Sequence, residues 1–199
     1  MKPLFIVLEG PDAAGKSTQL ALLSRELSRR GIPVVVTREP GGTELGRALR
    51  GILLDPGRRI EPLAELFLLL ADRRQHVEEL IRPALEAGKW VISSRYTLSS
   101  VAYQGYGRGI PVDLVRELNA IATGGLEPDY TFLLDVPPEV ALERTGTKDR
   151  FEAEGLAFRA RVRQAYLELI KGIPNGHVID ATGSPEEVCR RILEHLPLA

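Results

Sequence analysis

The stretch Gly10-Pro11-Asp12-Ala13-Ala14-Gly15-Lys16-Ser17 constrains the fold more than any other, because it follows the pattern G-x-x-x-x-G-K-[ST]. An apolar run, Leu4–Leu8, precedes it and predicts a buried strand, and apolar residues at helical spacing follow it. Such a loop at a helix N-terminus presents backbone N–H groups to anionic oxygens. It predicts a nucleotide phosphate site in which Lys16 reaches the phosphates and Ser17 binds Mg²⁺. The alternative, a glycine turn with an incidental lysine, leaves the order of strand, loop and helix unexplained.

Length, charge and cysteine content exclude several classes of protein. A chain of 199 residues with 44% hydrophobic content suits one domain, residues 1–199, with a sizeable core. A net charge of −1 provides no basic field for nucleic acid. The single cysteine, Cys189, excludes an internal disulfide framework and a cysteine-based zinc cluster. No apolar run is long enough for a membrane span, and Glu9 interrupts the first one early. We therefore expect a cytoplasmic protein with neither nucleic-acid nor membrane partners.

Short continuous apolar runs alternate with helical patterns along the chain. The predicted strands are Leu4–Leu8, Val34–Val36, Trp90–Ser93, Tyr130–Leu134 and His177–Ile179. The predicted helices are Lys16–Arg30, Glu44–Leu54, Glu61–Ala87 with a kink or break at Pro83, Val112–Ala122, Pro138–Arg144, Leu156–Ile170 and a capped helix starting at Ser184. Tyr103–Gly109, rich in glycine and aromatics, is predicted to be a loop. The alternation predicts an α/β fold of the P-loop NTPase class, a five-stranded parallel sheet with helices on both faces.

Ligands of such sheets bind at the carboxyl ends of the strands, which directs attention to three arginines. Arg38 follows the second strand, Arg73 lies in the long helix, and Arg95 follows the third strand. A planar guanidinium group binds phosphate bidentately. A single arginine is more often part of a surface ion pair, but three on the ligand side favour a second anion site.

A phosphate loop alone does not distinguish between classes of nucleotide-binding protein. The chain has no N-K-x-D sequence, which a GTPase uses to read guanine. It also lacks the length and the signature loop of an ATPase motor or transporter module. A second anion site facing the loop favours a kinase with a small phosphorylated acceptor.

Seven stretches, which include the phosphate loop, form a longer pattern: Leu8–Thr18, Thr37–Thr43, Ala71–Arg73, Arg95–Tyr96, Ala102–Gly109, Leu133–Pro137 and Asp149–Glu152. In these stretches the chain resembles bacterial thymidylate kinases whose basic residues lie in a lid. Together the stretches cover nearly the whole chain in the family's order. The resemblance implies transfer of the ATP γ-phosphoryl group to dTMP, giving dTDP and ADP for dTTP synthesis. It also implies Mg²⁺ as cofactor, ATP and dTMP as substrates, and a homodimer.

The resemblance also implies roles for individual residues. Arg95 is expected to bind the acceptor phosphate and Arg73 the thymine edge, while Asp12 lies near the sugar 3′-hydroxyl and Tyr103 crowds the 2′ position. The expected acceptor-binding residues are Asp12, Arg38, Glu39, Pro40, Leu69, Arg73, Arg95, Ser99, Ser100, Tyr103 and Gln104. The expected ATP-binding residues are Gly10, Pro11, Asp12, Ala13, Ala14, Gly15, Lys16, Ser17 and Thr18.

The phosphate loop has no basic residue between its two glycines, and family members of this kind supply cations from a lid. The lid here would be the segment at about residues 143–155. Besides Lys16 and Arg95, the candidate catalytic cations are then Arg144, Lys148 and Arg150. The alternative is a solvated charged loop, because acidic residues balance these cations. The candidate metal ligands are Ser17, Asp12 and Glu9.

Two positions depart from the family pattern. Ser94 stands where an aspartate usually precedes Arg95, which removes a carboxylate near the metal. Leu69 stands where an aromatic residue usually stacks on thymine, and Phe67 is two residues away. Two alternatives remain open at this point: a P-loop kinase for another deoxynucleotide, and a nucleotide-binding protein with low turnover.

Overall fold

A computed structural model describes residues 2–144, 150–151 and 154–198. Within these ranges five parallel strands form one sheet in the order β2-β3-β1-β4-β5. The strands are β1 Phe5–Glu9, β2 Val34–Arg38, β3 Trp90–Ser94, β4 Tyr130–Asp135 and β5 Gly176–Asp180. The predicted five-stranded parallel sheet of the P-loop class is thus confirmed.

The helices lie between the strands, as the alternating pattern predicts. They are α1 Lys16–Arg29, α2 Glu44–Leu54, α3 Pro62–His76, α4 Arg82–Glu86, α5 Thr97–Ser100, α6 Val112–Thr123, α7 Pro138–Glu143, α8 Leu156–Leu169 and α9 Pro185–Leu193. A 3₁₀ turn, Ile170–Gly172, follows α8. Ser184 caps α9 in a reciprocal capping box with Glu187, as predicted. No helix in the described part of the chain is long and apolar enough to span a bilayer.

Both faces of the sheet are covered, and alternate residues of β1 show this directly. Ile6 and Leu8 belong to the apolar cluster beneath α1 and α9. Phe5 and Val7 belong to a second cluster on the opposite face. All five residues of β1 are buried, because successive side chains of a strand point to opposite faces. A third apolar cluster joins α3, α6 and α8 beside the sheet.

The strand register brings three loops together at one edge of the sheet. Leu8 of β1 pairs with Ser94 of β3, and Arg38 of β2 pairs with the same Ser94. The phosphate loop, the segment after β2 and the segment after β3 therefore begin side by side. This is the ligand-binding edge of an open parallel sheet.

The region around Tyr103 differs from the predicted loop. Residues Val101–Gly107 form a π-helical turn that continues α5. Its backbone is closed by hydrogen bonds such as Arg108 N–H to the Tyr103 carbonyl, 2.9 Å. The reason is burial: Val101–Gly105 is buried, and buried backbone groups must be paired. The glycines therefore do not make a loop here.

The long helix predicted over Glu61–Ala87 is a continuous helical run with one irregularity. A π-helical turn, Val77–Ile81, joins α3 to α4 directly before Pro83. Proline has no N–H to donate and crowds the preceding turn. The wider π turn is one of the known ways in which a helix accommodates such a residue, so the predicted kink takes this form.

Candidate active site

The phosphate loop joins β1 to α1 and depends on glycine at its first position. Gly10 has φ 140°, and a Cβ there would lie 2.5 Å from the Leu134 carbonyl oxygen. Any larger residue would push the loop away from β4. Gly15, at the other end, takes φ 90° and caps α1. Lys16 folds back over the loop, and its Nζ donates to the carbonyl oxygens of Gly10, 2.9 Å, and Pro11, 2.6 Å.

A large open cavity of about 920 Å³, here called the donor cleft, lies above this loop. It suits a nucleoside triphosphate in size. The residues that line it include Asp12, Ala13, Ala14, Gly15, Lys16, Ser17, Thr18, Arg38, Ser94, Arg95 and Arg144. Ser17 and Thr18 are exposed at the N-terminus of α1, where the helix dipole favours anions. The structure thus brings Asp12–Thr18 of the predicted ATP-binding set to one surface, while Gly10 and Pro11 lie behind it.

A second, narrow cavity of about 80 Å³, here called the acceptor pocket, adjoins the donor cleft. The residues that line it are Asp12, Glu39, Pro40, Arg50, Leu54, Leu69, Arg73, Arg95, Ser99, Ser100, Tyr103, Gln104 and Phe151. Every residue expected to bind the acceptor is among them except Arg38. Neighbouring residues of β2 point to opposite faces: Thr37 contacts His76 of α3, whereas Arg38 is exposed toward the donor cleft.

Arg95 stands where the two cavities meet. Its Nη1 donates to the Gly10 carbonyl, 3.0 Å, and its Nη2 forms an ion pair with Asp12. Tyr103 donates its hydroxyl to the other oxygen of Asp12, 3.0 Å. Burial alone would raise the pKa of Asp12, but the charges of Arg95 and Lys16 lower it. Asp12 is therefore an ionised carboxylate that holds the arginine in place.

Arg95 is held in an unusual backbone conformation. Its φ of 71° lies in the left-handed region, which costs a residue with a side chain about 1–3 kcal/mol. The amide donates to the Leu8 carbonyl, 2.9 Å, and the carbonyl accepts from Ser93 Oγ, 3.0 Å. These bonds hold the turn after β3 so that the guanidinium group faces the phosphate loop.

Arg73 forms a wall of the acceptor pocket through a buried polar network. Its Nε donates to Glu39 Oε2, 2.8 Å, and its Nη2 donates to the Tyr96 carbonyl, 2.9 Å. Its Nη1 donates to Ser100 Oγ, 2.9 Å, and to Asn119. Burial would raise the pKa of Glu39, but Arg73 and its neighbour His76 lower it. All three guanidinium nitrogens are engaged, so the group is fixed before any ligand arrives.

The structure separates the described cations of the expected lid. Arg144 lines the donor cleft and donates to the Ala181 carbonyl, 3.1 Å. Arg150 lies on the acceptor side, where its Nη1 is 2.5 Å from Glu65 Oε2 and its guanidinium group is 4.6 Å from the centre of the Phe151 ring. Lys148 lies outside the described residues.

Of the three candidate metal ligands, two face the cavities and one does not. Ser17 and Asp12 line the donor cleft. Glu9 is fully buried and accepts from Tyr96 N–H, 2.9 Å, and Ser99 Oγ, 2.5 Å. Burial raises the pKa of Glu9. Its expected role as a metal ligand is corrected accordingly: it holds the segment after β3.

The candidate metal ligands that face the cavities fit a Mg²⁺ ion that arrives with a nucleotide. Among the residues that the structure describes, no group of three or more His, Cys, Asp or Glu is arranged so that it could hold a metal ion by itself. A Mg²⁺ ion bound at Ser17 and Asp12 would therefore take most of its ligands from phosphate oxygens and water. This is how Mg²⁺ is usually bound at phosphate sites.

Several pocket residues were missed by reasoning from the sequence. Arg50 lines both cavities, and its Nη1 donates to the Pro40 carbonyl, 3.0 Å. It lies two helical turns after Thr43, the cap of α2, and that spacing could have indicated the same helix face. Phe151 provides an aromatic ring in the pocket, beside Leu69, whereas Phe67 is 53% exposed. No local pattern indicated Phe151.

Comparison with known proteins agrees with this geometry. The model of a family described as "Thymidylate kinase" matches residues 8–192. A "Thymidylate kinase" of Synechococcus sp. (strain JA-2-3B'a(2-13)) is 49% identical over 201 residues, covering 98% of this chain and 97% of the relative. A "Thymidylate kinase" of Deinococcus radiodurans is 50% identical over 189 residues, covering 93% and 92%. A crystal structure of thymidylate kinase from Ehrlichia chaffeensis superposes with a TM-score of 0.82 at 33% identity, covering 98% of both chains. With the phosphate loop, the two adjoining cavities and these likenesses together, the chain belongs to the thymidylate kinase family.

Proposed function

We propose that this dTMP kinase binds ATP in the donor cleft and dTMP in the acceptor pocket, and transfers the γ-phosphoryl group between them beside Arg95. The proposal rests above all on the position of that guanidinium group. It is hydrogen-bonded to the phosphate loop at Gly10 and Asp12, and Arg95 lines both the donor cleft and the acceptor pocket. A donor phosphate and an acceptor phosphate would therefore meet at the same cation. The products are dTDP and ADP.

The chemistry needs charge balance more than proton transfer. A phosphate monoester has a second pKa of about 6, so the acceptor is already mostly ionised at neutral pH and needs no general base. Two anions must instead be brought together. Lys16 and Arg95 both line the donor cleft, and Arg95 also lines the acceptor pocket, so both supply positive charge near the junction. Positioning and electrostatic stabilisation then account for the catalysis. Mg²⁺ bound with ATP would add further charge compensation, with Ser17 and Asp12 as its protein neighbours.

Recognition of the acceptor is assigned to the wall of the pocket. Arg73, Ser100 and Gln104 provide polar groups for a base edge, and Leu69 and Phe151 provide apolar faces. Every guanidinium nitrogen of Arg73 already donates a hydrogen bond within the protein. We therefore expect Arg73 to give up one of these bonds when it donates to the base. The Ser100 hydroxyl is the partner that can rotate away most easily.

The lid and the assembly complete the proposal. We infer one kinase domain over residues 1–199 with a lid at about residues 143–155. Arg144 then acts on the donor side and Arg150 on the acceptor side.

A homodimer is supported by apolar residues left exposed on α3 and α6, two helices that pack together. They are Phe67 on α3 and Leu114 and Ile121 on α6. Light scattering after size-exclusion chromatography tests the dimer directly.

A coupled assay of ADP release tests the assignment of substrate and site. The acceptors to compare are dTMP, dUMP, dCMP, dGMP and the ribonucleotide of thymine. We expect dTMP to give the highest kcat/KM and the ribonucleotide to be disfavoured by Tyr103. A higher kcat/KM for another deoxynucleotide would favour the first alternative left open by Leu69. Tight nucleotide binding with no turnover on any acceptor would favour the second, suggested by Ser94.

A further inference from the structure

Glu65 of α3 is a fully buried carboxylate that contacts three side chains from two separate segments. Gln104, in the π-helical turn after α5, donates its Nε2 to Glu65 Oε1, 2.7 Å. Arg108 places its Nε 3.4 Å from the same oxygen. Arg150 places its Nη1 2.5 Å from Glu65 Oε2. One residue in the first turn of a helix therefore holds groups that lie 39 to 85 positions further along the chain.

The contact with Glu65 decides which way the Gln104 amide faces. A carboxylate only accepts hydrogen bonds, so only the NH₂ group of an amide can point toward it. The Gln104 Oε1 is then directed elsewhere. Among the described residues this oxygen is buried and has no hydrogen-bond partner. Gln104 also lines the acceptor pocket. A buried acceptor without a partner is costly, and a bound molecule with a suitably placed N–H would satisfy it.

We propose that Glu65 is a positioning residue for acceptor selectivity, because it holds the Gln104 amide in one orientation and leaves the carbonyl oxygen of this pocket-lining side chain as the group available to a base. The inference rests on the acceptor site proposed above. A pyrimidine-2,4-dione such as thymine carries an N–H at ring position 3, which this oxygen can accept. A cytosine ring carries a lone pair at that position and would place two acceptors against each other. Glu65 thus selects between the two rings without touching either.

The two arginines keep the carboxylate from turning away from Gln104. Arg108 is held in turn by an ion pair with Glu154, and its guanidinium group lies 5.0 Å from the centre of the Phe158 ring. Arg150 donates its Nε to the Leu53 carbonyl, 2.9 Å. Among the described residues, two guanidinium groups therefore face two carboxylates, Glu65 and Glu154. A buried carboxylate held by partners on both oxygens keeps one orientation, and removal of one partner is costly.

Glu65→Gln tests the proposal with little change of shape. Glutamine at this position can present either an oxygen or an NH₂ group, so Gln104 is no longer held in one orientation. We expect the KM for dTMP to rise about tenfold, which is the loss of about one well-made hydrogen bond. The preference for dTMP over dCMP, as a ratio of kcat/KM, should fall by a similar factor. The KM for ATP and the kcat with dTMP should stay within about twofold of wild type.

Glu154→Gln is the matched control. It makes the same isosteric change on the outer partner of Arg108 and leaves the Gln104 amide untouched. The preference for dTMP over dCMP should stay within about twofold of wild type. An equal loss of preference in both variants would show that general loosening of the cluster is responsible and would overturn the proposal.

A double-mutant cycle separates this proposal from the site assignment on which it rests. If Glu65 acts through Gln104, then Glu65→Gln should cause no further rise in the KM for dTMP once Gln104→Ala is present. A full additional rise would overturn the positioning role. If Gln104→Ala itself leaves the KM for dTMP unchanged, the acceptor-site assignment of Gln104 fails instead.

NMR of the wild-type protein tests the same hydrogen bond without a variant, so a folding defect cannot affect the result. In its complex with dTMP labelled with ¹⁵N at ring position 3, the imino proton should be protected from exchange. A scalar coupling across the hydrogen bond should join that nitrogen to the side-chain carbonyl carbon of Gln104. A bound, exchange-protected imino proton coupled to a different acceptor would contradict the proposed orientation.

Discussion

The donor cleft and the acceptor pocket lie side by side but are built in different ways. The donor cleft is open, about 920 Å³, and much of its surface is one continuous loop and the helix N-terminus behind it. The acceptor pocket is narrow, about 80 Å³, and is assembled from side chains of separate segments. The first offers a bound ligand mainly loop backbone and a helix N-terminus, and the second offers it a buried polar network. Donor binding should therefore tolerate most side-chain changes, whereas acceptor selectivity should depend on many residues at once.

Removal of the loop lysine tests the donor side and should have the largest effect. Lys16→Ala is expected to lower kcat by about 10³-fold or more, since it deletes the cation nearest the transferred group. The fold should remain intact, because Lys16 donates to carbonyl oxygens of its own loop. ADP release and a thermal melt measure the two quantities. Lys89→Ala removes an exposed lysine at the opposite end of β3 and serves as control. Undiminished turnover by folded Lys16→Ala would refute the loop's role.

Removal of Arg95 tests whether this arginine contributes more to binding of the acceptor than to binding of the donor. Arg95→Ala should raise the KM for dTMP about 10–100-fold, the loss of a charge-assisted bond to its phosphate. The KM for ATP should rise much less, because the donor keeps the loop backbone and Lys16. Initial rates with each substrate varied in turn give both constants. Arg116→Ala, which loses only an exposed ion pair with Asp113, is the control. Equal changes in both constants would mean that Arg95 is not specific to the acceptor.

A carboxylate added at Ser94 tests whether negative charge near the bound metal ion is missing from the donor cleft. Ser94 lines the donor cleft and is nearly buried, so an aspartate there would place negative charge near a bound metal. Changes of this kind around a metal alter affinity or activity about 10–100-fold. Ser94→Asp should therefore raise kcat or lower the Mg²⁺ concentration for half-maximal rate about tenfold, with the acceptor preference unchanged. Ser94→Asn, which adds similar bulk without charge, is the comparison. A Mg²⁺ titration that shows an unchanged or reduced rate rejects this account.

The smallest predicted effect concerns stability near the acceptor pocket, at Asp72, which accepts a hydrogen bond from Gly41 N–H. Burial and the nearby charge of Glu39 raise the pKa of Asp72 to about 6, and its Oδ2 is buried without a partner among the described residues. Between pH 4 and 6 the folded protein therefore binds more protons at Asp72 than the unfolded chain does. Asp72 consequently destabilises the fold as pH rises through 6. Asp72→Asn should raise the free energy of unfolding by about 1–2 kcal/mol at pH 8.

The advantage of that variant should disappear as the pH falls toward 4, where the wild-type carboxyl group is protonated. Urea unfolding at a series of pH values measures it. Asp113→Asn, at an almost fully exposed carboxylate, should show no such dependence. A stabilisation of Asp72→Asn that is the same at pH 4 and pH 8 would contradict the assigned pKa.

The two sites also differ in how far the sequence predicts them. The phosphate loop is local, so its spacing alone identified Gly10, Lys16 and Ser17. The strands were predicted to within two residues at each end, because a buried parallel strand is a continuous apolar run. The role of Arg50 in both cavities was missed, and Glu65 meets Gln104 across 39 positions with no local signal. Arg38 was predicted to bind the acceptor, and it lines the donor cleft together with Ser94 and Arg95, so its role remains a prediction.

The region around Tyr103 shows a different limit of prediction. Three glycines between residues 105 and 109 resemble a loop when read alone. Their surroundings are set by α6 and α8, which bury the segment and require its backbone to bond internally. The conformation of the segment that carries Gln104 is therefore a property of the packed domain. Only the resemblance to a known family identified its residues as part of the site.

If ATP and dTMP bind as proposed, the position of Arg95 predicts that the affinities for the two substrates are coupled. Its guanidinium group holds the Gly10 carbonyl and the Asp12 carboxylate at once, so a phosphate arriving in the acceptor pocket competes with Asp12 for the same donors. Any shift of Arg95 also changes its contacts with the phosphate loop, where ATP is proposed to bind. Linkage then requires reciprocity: the factor by which ATP alters the affinity for dTMP equals the factor by which dTMP alters the affinity for ATP. Cooperative binding of two substrates in one small domain thus needs no moving subunit, only one cation shared between two neighbouring anion sites.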